Sequence, residues 1–178
     1  THVEPGDLAD RLEGPMRPGH FRGVTTVVTK LLAAPAPHAA LFGQKDFQQL
    51  AIIRRMAIDL DLGIEIVGVP IVREPDGLAM SSRNVRLTEP DRVAAVVLSR
   101  ALASCATAFA AGDRDAASLR SLALDVIENE SRASLEYVEL VDAATLRPVE
   151  LVESTAVVLL AAWFGDVRLI DNRVLDGH

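Results

Sequence analysis

"AALFGQKDFQQLAIIRRMAIDLDLGIEIVGVPIV", residues 39–72, is the stretch from which the fold is read. Its first five residues form a short apolar run that ends in Gly43, the pattern of a buried strand. In the following segment Ile53, Met56, Ala57 and Leu60 recur at i, i+3, i+4 and i+7, which predicts an amphipathic helix over 46–62. Gly63 closes that helix, and "IEIVGVPIV" supplies a second strand. A strand, a crossover helix and a strand make a βαβ unit, and hence a parallel sheet.

Upstream, "GDLADRLEG" (6–14) reads as a short helical stretch. Val24, Val27, Val28 and Leu31 then place a helix from about Gly19 to Ala33, which "APAPH" (34–38) breaks. Downstream, Pro75-Asp76-Gly77 is a strong turn signal and the preferred boundary, dividing the chain into 1–75 and 76–178. Thr88, Pro90 and Asp91 open a long helix with Ala94, Val97, Leu98, Ala101, Leu102 and Cys105 on one stripe. A helix over roughly 114–130 follows, then three strands, "LEYVELVD", "TAVVLLAAWF" and "VRLIDN", with Gly165-Asp166 as a hairpin turn. The expected class is α/β with a parallel sheet, followed by a small α+β domain with an antiparallel sheet.

With 178 residues, 49% of them hydrophobic, the chain suits one compact domain or two small ones. A formal charge of −7 argues against nucleic acid and against anionic lipid, both of which need a basic face. Phosphate chemistry would therefore rest on a few placed cations. The single cysteine, Cys105, lies on an apolar stripe, reads as core, and fits a reducing, cytoplasmic setting. Tyr137 and Trp163, on strands, read as packing residues. No Cys or His pair has metal-ligand spacing, so no protein-held metal site is expected. "AVVLLAAWF" (156–164) is too short to span a bilayer, and no membrane partner is expected. The Thr1 start suggests a chain cut from something longer.

Three clusters could carry chemistry. The first is "FGQKDFQQL" (42–50), where a strand ends and a helix begins, the crevice in which open α/β sheets bind ligands. Gly43 allows close backbone approach and Lys45 offers a point charge. Asp46 is an acceptor, and Gln49, four residues after Lys45, shares its helix face. An exposed first turn, with Asp46 serving the helix dipole, explains the same residues. The second cluster is Met80-Ser81-Ser82-Arg83, where two hydroxyls and a guanidinium could grip phosphate oxygens, or simply form a polar turn. The third is "RPGHFRG" (17–23), in which His20 could position an anion or be structural. There is no dinucleotide fingerprint, phosphate loop or Ser-His-Asp pattern.

Taken together, "RPGHFRGV", "FGQKDFQQL", "VGVPIVRE-DGLAMSSRN" and "RLIDN" resemble the pantoate–β-alanine ligase (pantothenate synthetase) family, in order and separation, from about Pro5 to Asn172. The resemblance implies a Rossmann-like nucleotidyltransferase domain and an ATP- and Mg²⁺-dependent ligase that joins pantoate to β-alanine through an acyl adenylate. It implies an ATP site at Gly43, Gln44, Lys45 and Asp46, and substrate contacts from Gln49 and His20. Val72 falls with the adenine pocket. Met80, Ser81, Ser82 and Arg83 match the synthetases' mobile Lys-Met-Ser-Lys-Ser loop, hinged at Asp76-Gly77. Lys45, Ser81, Ser82 and Arg83 would carry catalysis.

Two departures accompany the match. The family's Met-Gly…His-x-x-Gly-His segment and a second pantoate-binding Gln are absent, and Gln44 stands where the family usually has Glu. The chain is therefore expected to be the trailing part of the enzyme, inactive alone, with an open apolar sheet edge that favours a homodimer. A non-catalytic binding or oligomerisation module is the rival reading. A different adenylate-forming transferase is another, and the negative charge disfavours one that charges tRNA.

Overall fold

In the first residues an extended segment leads into a single 3₁₀ turn, Asp7–Ala9, and a short helix α1 (Glu13–Met16). The structure, a computed structural model, describes residues 1–176. The helical stretch expected at 6–14 is thus two separate turns. Buried Gln48 holds them, donating to the Leu8 and Arg11 carbonyls (2.8 and 2.7 Å) and accepting from the Glu13 amide (3.0 Å).

Helix α2 (His20–Ala33) begins at Gly19, whose φ of +76° is the left-handed conformation that glycine adopts without strain. Strand β1 (Ala39–Gly43) leads through a 3₁₀ turn, Gln44–Asp46, into α3 (Phe47–Asp59) and then β2 (Glu65–Val69). The strands pair in parallel, Ala39 opposite Glu65 through Gly43 opposite Val69. Val28 and Leu32 of α2 pack with Ile53 and Met56 of α3 over Ala40, Phe42 and Ile66 of the sheet. This βαβ unit is the one the sequence predicts, with helix and strand ends trimmed by a few residues.

The chain divides into two compact units, Thr1–Pro70 and Ile71–His178. The turn at Pro75-Asp76-Gly77, where the sequence suggests the boundary, lies inside the second unit. Residues 72–80 fold there as a small arch closed by the Arg73–Ala79 bridge, with Glu74 N donating to Leu78 O (2.8 Å) and Met80 N to Val72 O (2.9 Å).

The long helix predicted from Thr88 is two helices, α4 (Glu89–Ala94) and α5 (Val97–Ala110). Thr88 caps α4 by accepting from the Asp91 amide (3.3 Å). At Ala95-Val96 the hydrogen bonds tighten to i→i+3, and the Ser99 hydroxyl bonds the Val96 carbonyl (3.0 Å), so the ladder is interrupted. Residues 89–110 are long and apolar enough to cross a membrane by composition. Their stripe of Ala94, Val97, Leu98, Ala101, Leu102, Cys105 and Phe109 is instead buried in the core, with Cys105 fully enclosed.

Helix α6 (Ala116–Glu128) is capped by Asp115, and three antiparallel strands follow: β3 (Ala133–Asp142), β4 (Ala156–Phe164) and β5 (Val167–Leu175), in that order across the sheet. Gly165, at φ +55°, makes the β4–β5 turn with Asp166. α5 and α6 cover Val138, Leu140, Val158, Leu160 and Ala162 on one face. Trp163 departs from its expected packing role, with 39% of its surface exposed.

Candidate functional site

In the first unit the turn after β1 is built by close packing beneath it. Gly68 of β2 lies under that turn: a Cβ there would come within 3.0 Å of Leu50 Cδ2 and 3.3 Å of Gln44 Cγ. A side chain at this position would press on Gln44 and Leu50, so the glycine favours this close packing. Gly43 itself has an ordinary extended backbone (φ −67°), and a Cβ on it would meet nothing within 4 Å. It borders open space at the carboxyl end of the strand, where a ligand can approach the chain.

Lys45 lies in the 3₁₀ turn and Gln49 in the first turn of α3, with Asp46 between them as N-cap. The shared α-helical face implied by their spacing is therefore not formed, because the turn tightens before α3 begins. Asp46 makes no side-chain cap bond. Its exposed carboxylate and the half-buried Gln49 amide have no hydrogen-bond partner among the described residues, leaving both available to a ligand. The neighbouring glutamines divide the work: Gln48 staples the N-terminal loop, while Gln49 is uncommitted. His20 is the first residue of α2, its ring tilted against Phe21 at 5.1 Å.

In the second unit, Met80 to Arg83 follow directly from the arch. Val72 and Met80 are hydrogen-bonded neighbours with 63% and 52% of their surfaces exposed, whereas the residues beside them, Arg73 and Ala79, turn inward. Ser81 Oγ accepts from the Arg83 amide (3.2 Å) and Ser81 O from the Asn84 amide (3.0 Å), forming a tight turn ahead of a 3₁₀ turn at Asn84–Arg86. The exposed Ser82 hydroxyl and the half-buried Arg83 guanidinium have no partner among the described residues.

Asp76-Gly77, the hinge that the resemblance implies, lies among several contacts. Asp76 is paired with Arg92 (2.7 Å) and accepts from the Leu78 amide, contacts that hold its carboxyl below the usual carboxylate range. Gly77 (φ +95°) sits against Ser99, and Leu78 is buried. The tip is therefore fastened. The root is fastened as well, by Arg73, which forks onto Asp171 of β5 (2.7 and 3.0 Å). Neither member of that pair was singled out from sequence, although Asp171 lies in "RLIDN"; a basic and an acidic residue 98 positions apart carry no local signal of their pairing.

The family model described as Pantoate-beta-alanine ligase matches residues 1–174. A pantothenate synthetase from Geotalea uraniireducens is 54% identical over 98% of this chain and 62% of its own length. A pantothenate synthetase 1 from Bradyrhizobium diazoefficiens is 56% identical with the same coverage. Among solved structures, pantothenate synthetase from Thermus thermophilus superposes with a TM-score of 0.93 at 41% identity, over 97% of this chain and 63% of that one. A pantoate-beta-alanine ligase from Francisella tularensis, complexed with β-γ ATP and β-alanine, has a TM-score of 0.69 at 30% identity, over 98% of this chain and 58% of that one. The chain thus spans about three fifths of the length of these relatives. The match of that family model across residues 1–174 shows that the chain belongs to the pantoate–β-alanine ligase family.

Proposed function

We propose that this chain supplies the Gly43–Gln49 phosphate turn and the Met80–Arg83 clasp of an ATP-dependent ligase that joins pantoate to β-alanine. The observation that carries the reading is the family match across residues 1–174. The complex of the Francisella tularensis ligase with β-γ ATP and β-alanine supports the choice of nucleotide and amine.

In the first step a pantoate carboxylate oxygen attacks the α-phosphorus of ATP. The new P–O bond forms as the bond to the bridging oxygen breaks, and pyrophosphate leaves with that electron pair. In the second step the β-alanine nitrogen attacks the acyl carbon. The C–O bond to AMP breaks, AMP departs, and the amine releases a proton. Negative charge builds on phosphate oxygens in the first step, so fixed cations do most of the work there. Lys45 is proposed as a point charge and Arg83 as a fork, with the Ser81 and Ser82 hydroxyls and the open backbone at Gly43 completing the phosphate contacts. Gln44 and Asp46 line the nucleotide side, Gln49 and His20 the pantoate side, and Val72 with Met80 the adenine. The second step needs the amine and the acyl adenylate held together with water excluded.

Among the described residues no group of three or more His, Cys, Asp or Glu side chains could hold a metal ion. In this reading Mg²⁺ would come with the nucleotide, where it would neutralise charge on the phosphates. A cytoplasmic setting is part of the same proposal.

The test is pantothenate formation by the full-length enzyme, followed by mass spectrometry with AMP measured alongside. One AMP per pantothenate is expected, and ADP in its place would reject the adenylate. A polypeptide of these 178 residues alone is expected to give no product.

One observation favours the rival module as an added role. β1 pairs only with β2 among the described residues, and Leu41 on it is 68% exposed. An apolar strand flank of this kind suits packing against protein, here a second copy of this chain. Light scattering that returned a strict monomer would remove the homodimer.

A further inference from the structure

The geometry points to Arg73 and Asp171 as a positioning pair that sets the pitch of the arch carrying Val72, Met80 and the Ser81-Ser82-Arg83 clasp, an inference that rests on the ligase reading above. The Asp171 side chain is only 1% exposed, yet its carboxylate is well supplied with donors. It accepts from both terminal nitrogens of Arg73 (2.7 and 3.0 Å) and from the Asn172 amide (2.8 Å). The same Arg73 Nη1 also donates to the Gly77 carbonyl (3.0 Å). One guanidinium thus ties the inner strand of the arch, the tip of the arch and the middle of β5 together.

A buried ion pair is a weak source of stability, because desolvation offsets most of the attraction; what a two-pronged contact provides reliably is direction. That direction bears on the nucleotide-facing groups. Side chains alternate along the paired strands of the arch, so turning Arg73 and Ala79 inward turns Val72 and Met80 outward. The clasp continues from Met80 without a break, and the Asn84 side-chain amide nitrogen bonds back to the Ala79 carbonyl (3.1 Å). A tilt of the arch therefore moves the adenine-facing pair and the phosphate clasp as one piece. The other tether, Asp76 to Arg92, is partly solvent-exposed and holds the tip less firmly than the Arg73–Asp171 fork holds the root.

The experiment uses the full-length enzyme with Arg73→Lys, which keeps the charge and loses the fork, and Asp171→Asn, which keeps the shape and loses the charge. Near-UV circular dichroism and melting temperature establish that each variant is folded. Pantoate-dependent ATP–pyrophosphate exchange then gives the KM for ATP and for pantoate. Both variants are expected to raise the KM for ATP about tenfold or more while the pantoate KM stays within about threefold. The double variant is expected to be no worse than the poorer single one, because both break one contact. Folded Arg73→Lys enzyme with an ATP KM within about twofold of wild type overturns the inference, as does an exchange rate that only follows the melting temperature. If Asp171→Asn does not fold, Arg73→Lys decides by the same criterion. A wild-type enzyme without pantoate-driven exchange overturns the ligase reading and this inference with it; active wild type with unaffected variants overturns this inference alone.

Discussion

The two units differ in how much of their own sheet they bury. In the second unit β4 is the central strand, and every residue from Ala156 to Ala162 is buried. In the first unit β1 alternates between exposed and half-buried positions, and its sheet has two strands among the described residues. Asp76, Asp91, Asp113 and Asp142, whose titration is displaced downward, all lie in the second unit. Both units carry candidate ligand groups, Lys45 and Gln49 on one, Ser82 and Arg83 on the other. The second unit closes on its own core, while the first, among the described residues, has a two-stranded sheet beside the Gln44–Asp46 turn.

The largest expected effect tests the core difference. Leu160→Ala, at a fully buried position in β4, is expected to cost about 2–5 kcal/mol in chemical denaturation, whereas Leu41→Ser on the open strand of β1 stays within about 0.5 kcal/mol. Equal losses would break the contrast. Next, Arg83→Ala in the full-length enzyme is expected to slow adenylation about 10²–10³-fold, on the scale of removing one donor from a transition-state oxyanion, with the melting temperature little changed because Arg83 has no side-chain partner to lose among the described residues. Third, Gly77→Ala is expected to cost about 1–3 kcal/mol, since its φ of +95° strains any side chain and its Cβ would sit 3.0 Å from the Ser99 hydroxyl. Gly43→Ala, which meets nothing within 4 Å, should leave stability within about 0.5 kcal/mol and weaken only ATP binding.

The smallest effect is the acid limb. The Thr88 hydroxyl, and then Arg132, hold Asp91 below the usual carboxylate range, and Arg92 does the same for Asp76. A carboxylate whose folded-state pKa is depressed stabilises the fold above its unfolded pKa, about 3.9, and loses that contribution as pH falls through the folded value. Trp163, the only tryptophan, lies in the second unit, so its fluorescence reports on that unit. Its unfolding midpoint should fall with pH below about 4, and more shallowly in Asp91→Asn. An unchanged slope in that variant would remove Asp91 from the explanation.

The architecture was legible where periodicity and length agree. Ile53, Met56 and Ala57 fix α3, the apolar runs fix β1 and β4, and Gly165-Asp166 fixes the last hairpin. What was not legible depends on contacts distant in sequence or on backbone detail. The Ala95-Val96 interruption leaves the apolar stripe intact, so the pattern runs straight through it. The 3₁₀ turn at Gln44–Asp46 has the composition of a helix start, which hides the loss of the Lys45–Gln49 face. Pro75-Asp76-Gly77 signals a turn whether the turn is free or fastened; Arg92, Ser99 and Asp171 decide that it is fastened, and all three lie far beyond it in sequence. Gly68, Arg73 and Asp171 lie inside the quoted motifs, but neither the packing of Gly68 nor the pairing of Arg73 with Asp171 leaves a local signal.

The proposed function assigns Lys45 and Arg83 to the triphosphate of a nucleotide that activates pantoate. The most direct measurement is ATP–pyrophosphate exchange by the full-length enzyme with pantoate as the acid, beside Lys45→Ala and a panel of amino acids. The expected result is exchange that requires pantoate and falls by about 10²-fold or more in Lys45→Ala. Exchange driven equally by an amino acid, or undiminished without the Lys45 ammonium, would contradict it.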